Sequence, residues 1–240
     1  MGIFDIFLSE EQRIAKEQRT LTNRDSQPED RENSARWLAE RDKPKAWVAL
    51  LTRFDMKLEN QLKDRNEKDL VYSLLTQAGA EALARPLERH LKKCRQVATP
   101  LRLHQELMGL DATIAKAYEI LDIEREKDDF KPQKKVDILV WLVDYPRPEH
   151  VEQTAPLLED FDENVRCAVI EVLVSTQEDA ARPLLEKAMV KPDEESNRLR
   201  VRVAQIFQQR GWTVDEPEAF GNVLPDGYTV NPSSKRVTAS

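Results

Sequence analysis

The stretch that decides the fold is Asp162-Glu163-Asn164-Val165-Arg166-Cys167-Ala168-Val169-Ile170-Glu171-Val172-Leu173. Its Val165, Ala168, Val169, Val172 and Leu173 stand at i, i+3, i+4, i+7 and i+8, the spacing of one helix face. After a short turn the chain resumes with Ala181-Arg182-Pro183-Leu184-Leu185-Glu186, and that segment has two echoes upstream, Ala155-Pro156-Leu157-Leu158-Glu159 and Ala84-Arg85-Pro86-Leu87-Glu88. In the later two copies the proline falls within the first turn or so of a helix, where N–H groups have few intrahelical partners and a missing donor costs little. Pro86 follows more helix-forming residues, so a kink is an equal reading there.

Working outward, comparable stripes recur: Trp47, Leu50, Leu51, Phe54 and Leu58; Leu70, Val71, Leu74 and Leu75; Leu83, Leu87 and Leu91; Ile114, Ala117, Tyr118 and Leu121. Breakers separate them at 64–66, 78–79, 98–100, 109–111, 128–132, 146–148 and 191–193. This predicts helix pairs at 28–58, 66–93, 99–124, 131–159 and 161–190, then a single helix over 193–210. The average is about 37 residues per pair, near the roughly 40 of helix-pair repeats. No pair can hide its own stripe, so stacking has to bury it in one elongated core. Leu199-Arg200-Val201-Arg202-Val203 alternates with period two and reads also as a strand, but Leu199, Val203, Ile206 and Phe207 restore the helical spacing.

The D-x-x-V-R-x-A pattern from Asp162 to Ala168, followed by the P-x-L-L-like start at Pro183, resembles a HEAT repeat over about 148–190. The resemblance implies an all-α, HEAT-like (armadillo-like) α-solenoid of about five helix pairs plus a capping helix, occupying 28–212. Leu199-Arg200 repeats Val165-Arg166, but Arg202 stands where Ala168 would recur, so the last helix departs from the pattern and reads as the terminal cap.

On either side the composition changes. From Ser9 to Arg36 the only large aliphatic residues are Ile14 and Leu21, so this stretch reads as a solvated helix or a tether, opened by the capping box Ser9-Glu10-Glu11-Gln12. Ile3, Phe4, Ile6, Phe7 and Leu8 admit three readings: a cap over the first repeat, a peptide that docks into a partner, or an interfacial anchor. An apolar end needs covering, which favours the cap. Ile6 stands where myristoylation would need Ser or Thr, and no basic residue precedes Arg13. Residues 213–240, with three prolines and two glycines, predict an extended C-terminal tail, with a turn signal at Pro225-Asp226-Gly227 that could close a small hairpin.

Composition narrows the chemistry. The 240 residues carry 37 basic and 44 acidic side chains, a net charge of −7, with 40% hydrophobic residues, as expected of a chain that builds a core. No apolar run is long enough for a membrane span, and no signal-peptide pattern opens the sequence; a cytoplasmic protein is expected. Only six glycines occur and no phosphate-cradling G-x-G-x-x-G or G-x-x-x-x-G-K motif, so a nucleotide-binding α/β fold is disfavoured. Cys94 and Cys167 cannot make a disulfide framework.

His90 and Cys94 share a helix face at i and i+4, but a zinc site needs more soft ligands than the chain offers, and Cys94 continues the side of Leu83, Leu87 and Leu91; the core reading is preferred and no metal or cofactor is expected. Iron-dependent HEAT-like hydroxylases use His-Glu pairs, whereas His90, His104 and His150 are followed by Leu91, Gln105 and Val151. HEAT-like DNA glycosylases need a basic groove, which a chain at −7 does not promise, and HEAT-like bilin lyases stay open as a comparison. No nucleophile elbow appears, so no catalytic residue is assigned.

Charge, in contrast, is blocked. Between Arg85 and Leu103 six basic residues face the single acid Glu88, and between Asp144 and Glu163 seven acids face Arg147. Such blocks suit partner recognition or simply a solvated face. The expected function is a non-enzymatic scaffold or adaptor that holds a protein partner on the ridge of its second helices, through Arg85, Arg89, Lys92 and Lys93 in one patch and Glu152, Glu159, Arg182 and Lys187 farther along. The competing class is a HEAT-like enzyme or ligand-handling protein; nucleic acid is disfavoured and no small molecule is indicated.

Overall fold

The computed structural model describes residues 8–127 and 132–239; Ile3, Phe4, Ile6 and Phe7 lie outside them. The chain is all-α: twelve helices and one two-stranded hairpin among the described residues. It divides into two compact units, one running to Ile123 and the other from Glu124.

In the first unit α1 (Glu10–Thr22) opens with the capping box foreseen at Ser9, whose hydroxyl accepts from Gln12 N at 3.3 Å while Ser9 N donates to the Gln12 side chain at 2.8 Å. Of the two readings, solvated helix or tether, the stretch is a helix, and a docked one. Its Ile14 and Leu21 are buried against α2 (Pro28–Ala39) and α3 (Pro44–Leu51), which supply the cover its own sequence lacks. Trp37 of α2 lies between the guanidinium groups of Arg13 and Arg41, at 4.6 and 4.5 Å. Leu50, Leu51 and Phe54 form the core with α4 (Gln61–Lys93), which contributes Val71, Leu75, Leu83, Leu87 and Leu91.

α4 runs straight through the breaker expected at 64–66. Asn60 caps it by accepting from Lys63 N at 3.0 Å, and the Asp64 carboxylate is turned toward Arg53 and Lys68, leaving the helix backbone intact. The backbone leaves helical geometry at Gly79 (φ 80°, ψ 174°), a conformation that L side chains rarely adopt, and Pro86 continues the helix beyond it. α5 (Ala98–Met108) and α6 (Leu110–Arg125) follow, turned at Gly109.

The second unit begins in the last turn of α6. α7 (Gln133–Val143) buries Ile138, Leu139 and Leu142; the short α8 (His150–Thr154) continues as a 3-10 helix, Ala155–Glu159. Asp162 caps α9 (Glu163–Ser175), accepting from Asn164 N and Val165 N at 2.8 and 3.3 Å, and the foreseen stripe from Val165 to Leu173 is buried. α10 (Ala181–Val190) and α11 (Asn197–Arg210) follow. The alternating Leu199–Val203 segment is helical: Arg198, Arg200 and Arg202 donate to the Asn164 side chain, the Glu194 carbonyl and the Glu171 carboxylate, while Leu199 and Val203 are buried.

The predicted extended tail is structured. The Glu186 carboxylate accepts from Asp215 N and Glu216 N, both at 2.8 Å, just before α12 (Pro217–Val223), and Phe220 packs on Phe207 with ring centroids 5.0 Å apart. The turn at Asp226-Gly227 leads into β1 (Tyr228–Val230), which pairs antiparallel with β2 (Val237–Ala239), Thr229 opposite Thr238.

One regularity runs through both units. Side chains separated by 31 to 36 residues meet repeatedly: Gln18 with Thr52, Arg31 with Glu67 and Tyr72 with Glu106 in the first, and Glu163 with Ser196, Asn164 with Arg198, Glu171 with Arg202 and Asp179 with Trp212 in the second.

Candidate interaction surfaces

The first predicted patch lies on the C-terminal half of α4. Because Leu83, Leu87 and Leu91 face the core, Arg85, Arg89 and Lys93 are exposed, and no ion pair among the described residues involves them. Lys92 differs. It pairs with Glu119 of α6, which also binds Lys116; Lys116 in turn reaches Glu88 at 3.4 Å. This network holds the Glu119 carboxyl below the usual carboxylate range through the hydrogen bonds from Lys116 and Lys92, and holds the Lys116 ammonium above its own against the opposing pull of burial. Nearby, Tyr72 donates to Glu106 at 2.6 Å beneath the Arg102 guanidinium, and burial with that bond pushes its phenol up to about 12.

The second predicted group divides into exposed residues and residues with internal bonds. Glu152 on α8 and Lys187 on α10 are exposed. Glu159 is bound to Lys191 at 2.8 Å, and Arg182 is bound to Asp215 at 2.9 Å, to the Thr213 carbonyl at 3.0 Å and to Glu186 at 3.4 Å. Much of the acidic block is likewise used inside the unit: Asp160 pairs with Lys135, Asp162 caps α9 and Glu163 accepts from Ser196.

The three histidines are interior. His90 Nε2 stands 3.9 Å from Asp55, His104 Nδ1 is 2.7 Å from Thr113 Oγ1, and His150 Nε2 is 2.8 Å from the Tyr145 carbonyl; burial lowers the His104 and His150 imidazoles. Cys94 donates to the Leu91 carbonyl at 3.5 Å, and burial raises the Cys167 thiol. Among the described residues, no three His, Cys, Asp or Glu side chains gather as a metal-ligand set, and no helix is long and apolar enough to cross a membrane.

Two hollows of the second unit were missed in the sequence. One, of about 810 Å³, is bordered by Pro132, Lys135, Leu157 and Asp160, and by Phe161, which is 98% exposed on a loop whose carbonyls at Asp160 and Phe161 both accept from Arg166. The other, of about 490 Å³, is a groove along α7, α9 and α11. Its lining repeats by position: Asn164, Cys167, Ala168 and Glu171 of α9 are followed 34 residues later by Arg198, Val201, Arg202 and Gln205 of α11. The available signal was the run Ile138-Leu139-Val140-Trp141-Leu142-Val143, more apolar residues than one helix face needs.

Compared with known proteins, the chain matches no family model, no curated protein and no solved structure.

Proposed function

We propose that the chain is a HEAT-like α-solenoid that serves as a non-enzymatic scaffold for a protein partner. The observation that carries this reading is the recurrence of contacts 31 to 36 residues apart in each unit. Stacked helix pairs give that recurrence, because each repeat sets equivalent residues beside those of the last, and they build extended binding surfaces from the equivalent positions. The interval is shorter than the roughly 40 residues usual for HEAT repeats, so the repeats are compact ones. Alternation of neighbours supports the same reading: α1 touches α2 and α3, α2 touches α4, α7 touches α9 and α9 touches α11.

On such a scaffold Arg85, Arg89 and Lys93 form the patch for an acidic partner. Long stems are costly to order and like charges repel, so a partner that neutralises them gains by steering and by salt-sensitive attraction. Reversing Arg89 and Lys93 together to Glu should alter stability by less than about 0.5 kcal/mol. Capture of partners from lysate should weaken and its salt dependence flatten. Capture of the same partners with unchanged salt sensitivity would mean that the patch is only a solvated face.

A further inference from the structure

From Ile138 to Val143 α7 is apolar all round, and a helix turn of that kind belongs in an interior. Ile138, Leu139 and Leu142 are buried in the second unit, yet Val140 is 56% exposed and, with Val136 and Val143 at i−4 and i+3, lines the groove. The opposite wall is α11. There Arg202 is forked by Glu171, at 2.6 and 2.8 Å, while the exposed Arg198, among the described residues, has a hydrogen bond to the Asn164 amide at 3.0 Å and no ion pair. The floor is α9, whose Cys167 and Ala168 are small. The groove thus joins one apolar wall to one cationic wall, with two arginines against the single carboxylate of Glu171.

Its dimensions select an occupant. Neighbouring helix axes lie about 8–10 Å apart, so α7 and α11 on either side of α9 leave a valley roughly 16–20 Å between axes. A helix with its side chains is about 10–12 Å across and lies in such a valley, above the small residues of α9. The three helices run the same way: Asn164 meets Arg198 and Glu171 meets Arg202 along α9 and α11, and Lys135 near the start of α7 reaches Asp160 just before α9. The valley therefore runs along their common direction.

We propose that this groove seats one amphipathic helix of a protein partner, its apolar stripe on Val136, Val140 and Val143 and an acidic flank against Arg198. The proposal deepens the scaffold reading and rests on it, but it uses a different surface from the α4 patch. Arg202, which occupies the place of Ala168 in the repeat, gains a role here: it fixes Glu171 and leaves Arg198 as the cation that a partner carboxylate meets.

The test is selection from a displayed library of helix-forming peptides of about 18 residues, roughly 27 Å long, with a fixed leucine stripe and free flanking positions, against the full chain. Recovered peptides should carry Asp or Glu on one flank. By fluorescence anisotropy, Val140→Asp should weaken the best of them at least about tenfold, as expected where an anchoring contact is lost. Repeating the selection on Arg198→Glu should move the flank from acidic to Lys. Both sites are exposed, and far-UV spectra and melting of the variants should match the parent. Recovery of no stripe-bearing peptide, of peptides with no acidic preference, or of peptides that bind both variants as well as the parent would each overturn the proposal. If that happens while the Arg89 and Lys93 reversal still weakens partner capture and flattens its salt dependence, the scaffold reading stands and the groove alone is lost.

Discussion

The corner between α2 and α4 and the junction between α9 and α11 are both fastened by arginine and carboxylate, but in opposite ways. At the junction Arg166 meets Glu194, whose side chain is 2% exposed, through two bonds of 2.8 Å, a single pair beside a core made by Val165, Val169, Leu199 and Val203. At the corner the arginines are the core. Arg53 is 0% exposed and reaches Glu67, Asp64 and the Met56 carbonyl, while Arg31 forks the same Glu67 and Lys68 binds the same Asp64. Three cations thus share two carboxylates. Where aliphatic residues carry most of the burial, one buried pair closes the seam; where cations share their carboxylates, removing one member strands the others.

The largest effect should come from Arg53→Ala, expected to cost about 3–5 kcal/mol in urea unfolding, the usual range for stripping one partner from a buried pair. A loss below about 1 kcal/mol would show that Arg31 and Lys68 suffice for Glu67 and Asp64, and the contrast would fail. Glu194→Ala comes next at about 2–3 kcal/mol, since Arg166 loses its fork and Ser196 N, at 2.8 Å, loses its acceptor. A cost matching that of Arg53→Ala would make the two fastenings equivalent.

Smallest is a pH effect common to the two units, one histidine in each. Burial lowers the imidazoles of His104 and His150 from their ordinary 6.5. Above that pH both are neutral whether the chain is folded or not, and they contribute nothing. As pH falls through it, the unfolded chain takes up protons that the folded one refuses, so stability declines toward acid. Thermal melts from pH 7.5 to 5.5 should show a modest fall, lessened when both are replaced by Gln; equal slopes in the two proteins would remove the histidines from the account.

The same contrast explains what could be read from the chain. Around Asp162–Leu173 the apolar period is unbroken and the aspartate that begins the pattern is the helix cap, so a helix was legible there. At the corner the elements are held by Arg31, Arg53, Asp64 and Glu67, which look like ordinary surface charge in a sequence; Asp64 therefore read as a breaker although it lies inside α4. The docking of α1 was hidden for a related reason: only Ile14 and Leu21 enter its core, and its cover comes from α2 and α3. Of the predicted surface, Arg85, Arg89 and Lys93 stand open on α4, whereas Glu159 and Arg182 hold internal bonds that no spacing rule discloses. The groove escaped because it belongs to three helices at once, and its apolar wall is made of residues that a single-helix reading assigns to a core.

The Glu186 carboxylate beneath α12 has a practical meaning for the end of the chain. It is 7% exposed at its side chain, and two of its acceptor sites are filled by backbone amides of Asp215 and Glu216. A chain trimmed at the composition change after Trp212 would keep the anion and lose both donors, together with Val214 and Phe220, which are buried. What remained would expose Phe207 and leave the buried Glu186 carboxylate of α10 with Arg182 but without its two amide donors. The apparent appendage is thus a keystone, and a protease that removed it would not tidy the molecule but open its second unit.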